Sequence, residues 1–150
     1  MSERKIAYRY AKALFDYAAE EKILEKVNSD MKLIRDVCRQ NREFRLILKS
    51  PIVNKRKKIS ILRGIFKEHV TPATMTYLQI IAKKSRENYL PVIALHFNGL
   101  YLEHQNIKTA TVRTAVPIDE SLRRKIISLL EKHTRAQIHL AEELDPDLIG

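Results

Sequence analysis

The first apolar segment of the chain is the feature that most limits how it can fold. Successive residues of an α-helix are about 100° apart, and this spacing brings Arg9, Lys12, Asp16 and Glu20 onto one narrow polar stripe. The remaining arc, roughly 240° wide, is apolar and consists of Ile6, Ala7, Tyr10, Ala11, Leu14, Phe15, Tyr17 and Ala18. A surface helix needs an apolar face only somewhat wider than 100°. The first helix is therefore expected either to lie deep in a bundle or to keep a second apolar face for a partner.

The next hundred residues continue with helical periodicity. Apolar residues three or four apart predict a second helix, carried by Leu24, Val27, Met31, Ile34 and Cys38, and a short third one, carried by Phe44, Ile47 and Leu48. The third helix should end at Ser50, because a proline disfavours helical backbone in the residue before it.

Three start signals place the remaining helices of this region. Asn54 is a good N-cap for a fourth helix, with Ile59, Leu62, Ile65 and Phe66 facing inward. Thr71 and Pro72 start a fifth helix that runs to about Lys84, and Pro91 fits the first turn of a sixth that runs to about Gln105. The fold expected for residues 1–107 is an N-terminal six-helix bundle with short connections.

Beyond Lys108 the pattern changes to that of a small α+β unit. Residues 109–117 and 137–142 alternate as strands do, and Asp119 caps a helix between them with Leu122, Ile126, Leu129, Leu130 and His133 on one side. A strand–helix–strand unit of this size buries too little surface to be stable alone. We therefore expect residues 108–150 to form an incomplete C-terminal domain.

Composition excludes several classes of protein. The formal net charge of +10 favours an acidic partner. A single cysteine, Cys38, excludes an intramolecular disulfide framework and a cysteine-based metal site, and its helical spacing predicts a small core residue. No apolar run approaches the roughly 20 residues of a membrane span. No signal or transit segment is evident, which favours a bacterial protein made and kept in the cytoplasm.

Residues with catalytic potential are sparse. The five histidines form no metal-binding pair, and neither a glycine-rich phosphate loop nor a nucleophile motif is present. The acidic residues from Glu142 to Asp147 are typical of a solvated turn. We therefore expect a protein that is not an enzyme, with no catalytic residue, no cofactor and no metal.

A basic block stands out near the middle of the chain. The block consists of Lys55, Arg56, Lys57 and Lys58, followed by Arg63 and Lys67. The segment between Glu43 and Glu68 contains no acidic residue. Three interpretations fit: a solvated helix start, a surface for an acidic protein, or a phosphate-binding surface. No aromatic residue is interleaved for stacking on single strands. The alternative function that this block supports is that of a small basic helical nucleic-acid-binding protein.

Five motifs in order carry a resemblance to a known family. They are YAKALFDYA at residues 10–18, Ser50-Pro51 with Lys58-Ile59, the segment 84–91 ending in Leu-Pro, TVRTAVPI at 111–118 and LDPDLIG at 144–150. Together they resemble the delta subunit of the bacterial F-type ATP synthase, a relative of the mitochondrial oligomycin sensitivity-conferring protein. The segment at 85–88 departs from the family's Asn-x-Arg pattern. Family members also continue past the final glycine with a further strand and helix, so the C-terminal domain is expected to be truncated.

The resemblance implies a non-catalytic stator subunit. In the family, the N-terminal domain binds an N-terminal helix of an alpha subunit of the catalytic head, and the C-terminal domain binds the b subunits of the peripheral stalk. The joint couples proton flow to ATP synthesis. The implied location is peripheral, on the cytoplasmic side of the bacterial inner membrane, with neither a direct membrane span nor a nucleic-acid partner.

The family's alpha-helix groove lies between the first and fifth helices. The fifth helix also has only a narrow polar stripe, formed by Thr76, Gln79 and Lys83, so it too is apolar over more than one face. The partner-binding residues expected on this basis are Ala7, Tyr10, Ala11, Leu14, Ala18, Tyr77, Ile80 and Ile81. The alternative is that both helices are simply central in the bundle.

Overall fold

The computed structural model describes residues 2–148 and is mainly helical, with a small sheet near the end of the chain. The predicted fold class is confirmed at that level. The helices are α1 (Glu3–Glu20), α2 (Leu24–Gln40), α3 (Arg42–Lys49), α4 (Lys55–Phe66), α5 (Pro72–Lys83), α6 (Leu90–His104) and α7 (Glu120–Thr134). The strands are β1 (Ile107–Thr114) and β2 (Gln137–Leu144). A short 3-10 turn, Glu87–Tyr89, precedes α6 and was not predicted.

The predicted helix starts are confirmed by their capping hydrogen bonds. The Asn54 side chain accepts from the Lys57 backbone N–H at 2.8 Å, and the Asp119 carboxylate accepts from the Leu122 N–H at 2.7 Å. Thr71 caps α5, with Pro72 as its first residue. Each cap satisfies a backbone N–H that has no partner within its own helix.

Buried side chains of α1 to α6 form one apolar cluster. The contribution of α1 is a single row, Ala7, Ala11, Leu14 and Ala18, spaced four, three and four residues apart. Such a row occupies one side of a helix. Cys38 is buried in the same cluster, as predicted.

A buried carboxylate connects α2 to the start of α5. Asp30 accepts from the Thr71 N–H at 3.0 Å, the Thr71 hydroxyl at 2.8 Å and the Thr74 hydroxyl at 2.7 Å. A negative charge at a helix N-terminus is favoured by the helix dipole. The hydrogen bonds to Asp30 of α2 therefore hold the N-terminus of α5 in place. Helix α5 carries half of the candidate site.

The basic block is not uniformly solvated. Lys58 is buried and pairs with Glu87, and the exposed Lys55 donates from Nζ to the Lys83 carbonyl at 3.0 Å. The interpretation of the block as a solvated helix start is therefore wrong for Lys58, since its ammonium group faces a buried carboxylate rather than water.

The chain divides into two compact units, with the division between Tyr101 and Leu102. In the second unit β1 and β2 are parallel, in register from Ile107 opposite Gln137 to Thr114 opposite Leu144, and α7 connects them. The predicted apolar side of α7 is only partly covered: Ile126 and Leu130 are half-buried, whereas Leu129 is 65% exposed. The last two residues of the LDPDLIG motif lie outside the described residues.

Candidate partner-binding groove

Helices α1 and α5 face each other across an open apolar groove of about 640 Å³. The walls are formed by Tyr10, Ala13, Leu14 and Tyr17 of α1 and by Pro72, Ala73, Thr76, Tyr77 and Ile80 of α5. Tyr17 is 50% exposed and Ile80 is 42% exposed. Large apolar side chains that remain in water beside a concave surface are typical of a docking site for a partner helix.

One hydrogen bond joins the two walls. The Tyr77 hydroxyl donates to the Tyr10 backbone carbonyl at 2.7 Å. Burial raises the pKa of the Tyr77 phenol, so the hydroxyl keeps its proton and remains a donor at neutral pH. This bond fixes the orientation of both tyrosine-bearing turns and so helps to preform the groove.

The structure divides the eight predicted groove residues into two sets. Tyr10, Leu14, Tyr77 and Ile80 line the groove, and Leu14, which is 3% exposed, belongs to the core as well. The other four, Ala7, Ala11, Ala18 and Ile81, are at most 1% exposed and lie in the core. They are covered because they point between α1 or α5 and the rest of the helical unit, so a docking helix could not reach them without displacing that packing.

Five lining residues were not predicted, namely Ala13, Tyr17, Pro72, Ala73 and Thr76. Tyr17 belongs to the apolar arc of α1, whose width was the available signal for it, whereas Ala13 lies next to the polar stripe on the helical wheel. Thr76 was assigned to a polar stripe, and no pattern in the sequence distinguishes a groove threonine from a solvated one.

The groove continues into a second pocket of about 500 Å³. This pocket shares Tyr10 and Ala13 with the first and adds Ile6, Arg9 and Arg86. The extension differs in chemistry from the main groove because two guanidinium groups line it. The surface therefore combines an apolar trough with a cationic end.

Within residues 2–148, no three side chains of His, Cys, Asp or Glu lie together as metal ligands would. None of the described helices has both the length and the apolar character needed to cross a membrane.

Comparisons with known proteins agree on one family. The family model for the ATP synthase delta (OSCP) subunit matches residues 6–150. ATP synthase subunit delta of Cytophaga hutchinsonii is 37% identical over 150 residues, covering 100% of this chain and 82% of that protein. The same subunit of Chlorobaculum tepidum is 33% identical, covering 100% and 83%.

A solved structure supports the same similarity. A chain of the mitochondrial ATP synthase hexamer of Toxoplasma gondii has a TM-score of 0.77 and 25% sequence identity, with 94% of this chain and 79% of that chain covered. The sequence relatives and the similar solved structure are thus both from ATP synthases.

Proposed function

The chain belongs to the ATP synthase delta (OSCP) subunit family, and from this premise we propose that it is a non-catalytic stator subunit of an F-type ATP synthase. It links the N-terminal helix of an alpha subunit in the catalytic head to the b subunits of the peripheral stalk. By resisting rotor torque at this joint, it keeps proton flow coupled to ATP synthesis.

The observation that carries the proposal is the uncovered apolar groove between α1 and α5. An amphipathic helix that enters it would bury Ile80, Tyr17 and the exposed side of Ala13. Burial of apolar surface contributes about 25 cal/mol per Å² before the costs of ordering the partner. A preformed trough lowers those costs because the protein side needs little rearrangement.

The second unit supplies the other half of the proposed joint. Both strands of its two-stranded parallel sheet have an unpaired edge among the described residues, and α7 exposes Leu122 and Leu129. Exposed apolar residues on a helix suit packing against the helical ends of b subunits. We propose residues 1–107 as the head-binding domain and 108–150 as the stalk-binding segment.

The proposed location follows from the complex rather than from a membrane anchor. The family places the subunit in a membrane-associated complex, and we assign it to the cytoplasmic side of a bacterial inner membrane as a peripheral component. Its binding partners are proteins. The alternative of nucleic-acid binding has less support, since one lysine of the basic block is committed to a buried ion pair.

The test is a pair of matched substitutions at exposed apolar residues. Ile80→Asp places a carboxylate in the groove, whereas Leu46→Asp makes the same change on α3, where the side chain is 55% exposed and outside the groove. Calorimetric titration with an alpha-subunit N-terminal peptide should show at least tenfold weaker binding for Ile80→Asp, equivalent to about 1.4 kcal/mol. Leu46→Asp should bind as the unmodified protein does.

The same pair of variants also tests coupling. Membranes stripped of this subunit should leak protons and fail to synthesise ATP. Adding back the Leu46→Asp protein with a full C-terminal domain should restore synthesis, and adding back the corresponding Ile80→Asp protein should not. Equal binding and equal restoration by both variants would refute the groove as the head-binding site.

A further inference from the structure

Helix α6 has an exposed side that carries no charged residue. Residues 90–101 contain neither Asp, Glu, Lys nor Arg. A helix that is apolar around its whole circumference is normally buried, but α6 is buried on one side only, through Leu90, Ile93, Ala94, Phe97 and Leu100. On the other side Leu95 is 51% exposed and Gly99 is exposed as well. The uncovered, uncharged side of α6 therefore indicates a contact that the helical unit itself does not make.

Three residues on this side, Pro91, Leu95 and Gly99, form what we call the α6 row. Each is four residues from the next, so they share one face of the helix. A Cβ atom added at Gly99 would meet no heavy atom within 4 Å, so another backbone can approach α6 closely at this position. The row is about 12 Å long at 1.5 Å per residue. It therefore has the length of a contact with about two turns of a partner helix.

Three arginines border the α6 row. A cavity of about 480 Å³ is lined by Arg35, Arg39, Arg45, Cys38, Pro91 and Leu95. Arg45 is held in place, because its Nη1 donates to the Cys38 carbonyl at 2.5 Å and to the Arg39 carbonyl at 2.8 Å. Both carbonyls belong to the last turn of α2, where a helix leaves its carbonyl groups without partners of its own. The guanidinium of Arg45 is thus preorganised beside the row and keeps its positive charge.

Acidic residues do not neutralise these arginines. Within residues 2–148, no ion pair involves Arg35, Arg39 or Arg45, and none of the described residues that line the cavity is acidic. The segment 32–49 contains six Lys or Arg residues against two acidic ones, Asp36 and Glu43, which gives a net charge of +4. An apolar row beside an excess of positive charge is complementary to a surface that is both apolar and acidic.

We propose that the α6 row and its arginines form a second docking surface, for an amphipathic helix of a protein partner with Asp or Glu along one edge. The apolar edge of that helix covers Leu95 and approaches α6 most closely at Gly99, and its carboxylates face Arg35 and Arg39. A second copy of this chain is a poor occupant, because the two cationic surfaces would repel each other. Among the described residues, this cavity and the groove between α1 and α5 have no lining residue in common.

The test uses two synthetic amphipathic peptides of about 18 residues, long enough to be partly helical in isolation. Both have Leu along one edge, and the next edge carries Glu in one peptide and Gln in the other. They are titrated into the Ile80→Asp protein, in which a carboxylate blocks the groove between α1 and α5. The Glu peptide should bind about three- to tenfold more tightly at low salt, and the difference should shrink as ionic strength rises. NMR signals of Leu95 and Gly99 should shift more than those of Ala13 and Ala73.

Further substitutions in the Ile80→Asp protein locate the binding. Leu95→Asp should weaken binding of the Glu peptide at least about tenfold, and Gly99→Leu should weaken it by blocking close approach. Ile52→Asp makes the matched change at a side chain that is 92% exposed between α3 and α4, and should leave binding unchanged. Arg35→Gln together with Arg39→Gln should remove the preference for Glu over Gln. Thermal melts of all variants show whether a change in binding reflects loss of folding.

Three results would overturn the inference. The first is equal affinity for the two peptides, or undiminished binding to a folded Leu95→Asp variant. The second is a dimer in sedimentation that Leu95→Asp dissociates, since the occupant would then be another copy of the chain. The third is binding to vesicles of equal parts phosphatidylcholine and phosphatidylglycerol that Leu95→Asp abolishes, since the occupant would then be a lipid surface. Because every protein in this test already carries Ile80→Asp, its failure leaves the proposed function of the groove untouched.

Discussion

Lys58 and Glu87 form an ion pair at 2.7 Å although each side chain is only 7% exposed. The Lys58 ammonium also donates to the Leu48 carbonyl at 2.9 Å. The pair therefore connects the end of α3, the first turns of α4 and the 3-10 turn before α6. Its cation belongs to a block whose other members in the same helix turn are exposed.

Replacing Lys58 should destabilise the protein strongly. Lys58→Met leaves the Glu87 carboxylate buried without a partner, for which a loss of about 3–5 kcal/mol is expected. The matched control is Lys57→Met, because Lys57 is exposed on the neighbouring position and should change stability by less than about 0.5 kcal/mol. Urea denaturation measures both. Equal midpoints for the two variants would contradict the assigned importance of the pair.

Two alanines of α1 should respond in opposite ways to the same substitution. Ala11 is 0% exposed, so Ala11→Asp buries an unpaired carboxylate and should cost about 3 kcal/mol or more of folding stability. Ala13 is exposed and lines the groove. Ala13→Asp should therefore melt nearly as the unmodified protein does, but bind an alpha-subunit N-terminal peptide at least about tenfold more weakly. A stable Ala11→Asp protein would show that this side of α1 is not core.

Cys38 should make stability fall at alkaline pH. Burial raises the pKa of its thiol from 9.0 to about 12, and the nearby Arg45 lowers it by a smaller amount. A raised native pKa contributes stability that is complete below pH 9 and is lost as pH rises towards 12. Stability measured by urea denaturation between pH 8 and 11 should decline less steeply for Cys38→Ala than for the unmodified protein.

The same burial should suppress thiol reactivity. At pH 8 a disulfide reagent such as Ellman's should modify Cys38 slowly in the native protein and quickly in urea, because the thiolate is the reacting species. Rapid modification without denaturant would indicate that the site opens readily, contrary to the packed core around Cys38.

Residues 1–107 should fold without the rest of the chain. The buried side chains of α1 to α6 form an apolar cluster of their own. A fragment ending at residue 107 should therefore show helical circular dichroism and a cooperative thermal transition. A non-cooperative transition, or folding only when residues 108–150 are present, would argue against the proposed domain boundary.

Local sequence was sufficient where the physical cause is local. Asn54, Thr71 and Asp119 identified helix starts because an N-cap acts on a backbone N–H within three residues. Pro51 identified the end of the third helix through its effect on the residue before it. The alternation after Lys108 identified a strand from neighbouring residues alone. The 3-10 turn at Glu87–Tyr89 was missed because Arg86, Glu87 and Asn88 carry no start or stop signal strong enough to separate them from the flanking helices.

The groove was only half predicted because helical periodicity gives the angle of a residue around its own axis but not what covers it. The apolar breadth of α1 indicated a second face, and Tyr10, Tyr77 and Ile80 line the open groove, whereas Leu14 contacts it from the core. The other predicted residues are as apolar as those that line the groove, yet neighbouring helices cover them. These residues are Ala7, Ala11, Ala18 and Ile81. The small size of the alanines suggested that a partner helix could approach α1 closely. In the structure, the surface that packs against these alanines is the protein's own core.

The sequence by itself determined the helical and strand segments, their caps, the place of Cys38 and, through ordered motifs, the family. Only the tertiary structure decided that Lys58 is buried against Glu87, that Asp30 of α2 accepts hydrogen bonds from Thr71 and Thr74, and that Arg9 and Arg86 line the same pocket. These relationships join residues 29, 41 or more positions apart. They depend on how the helices pack, which no short-range pattern encodes.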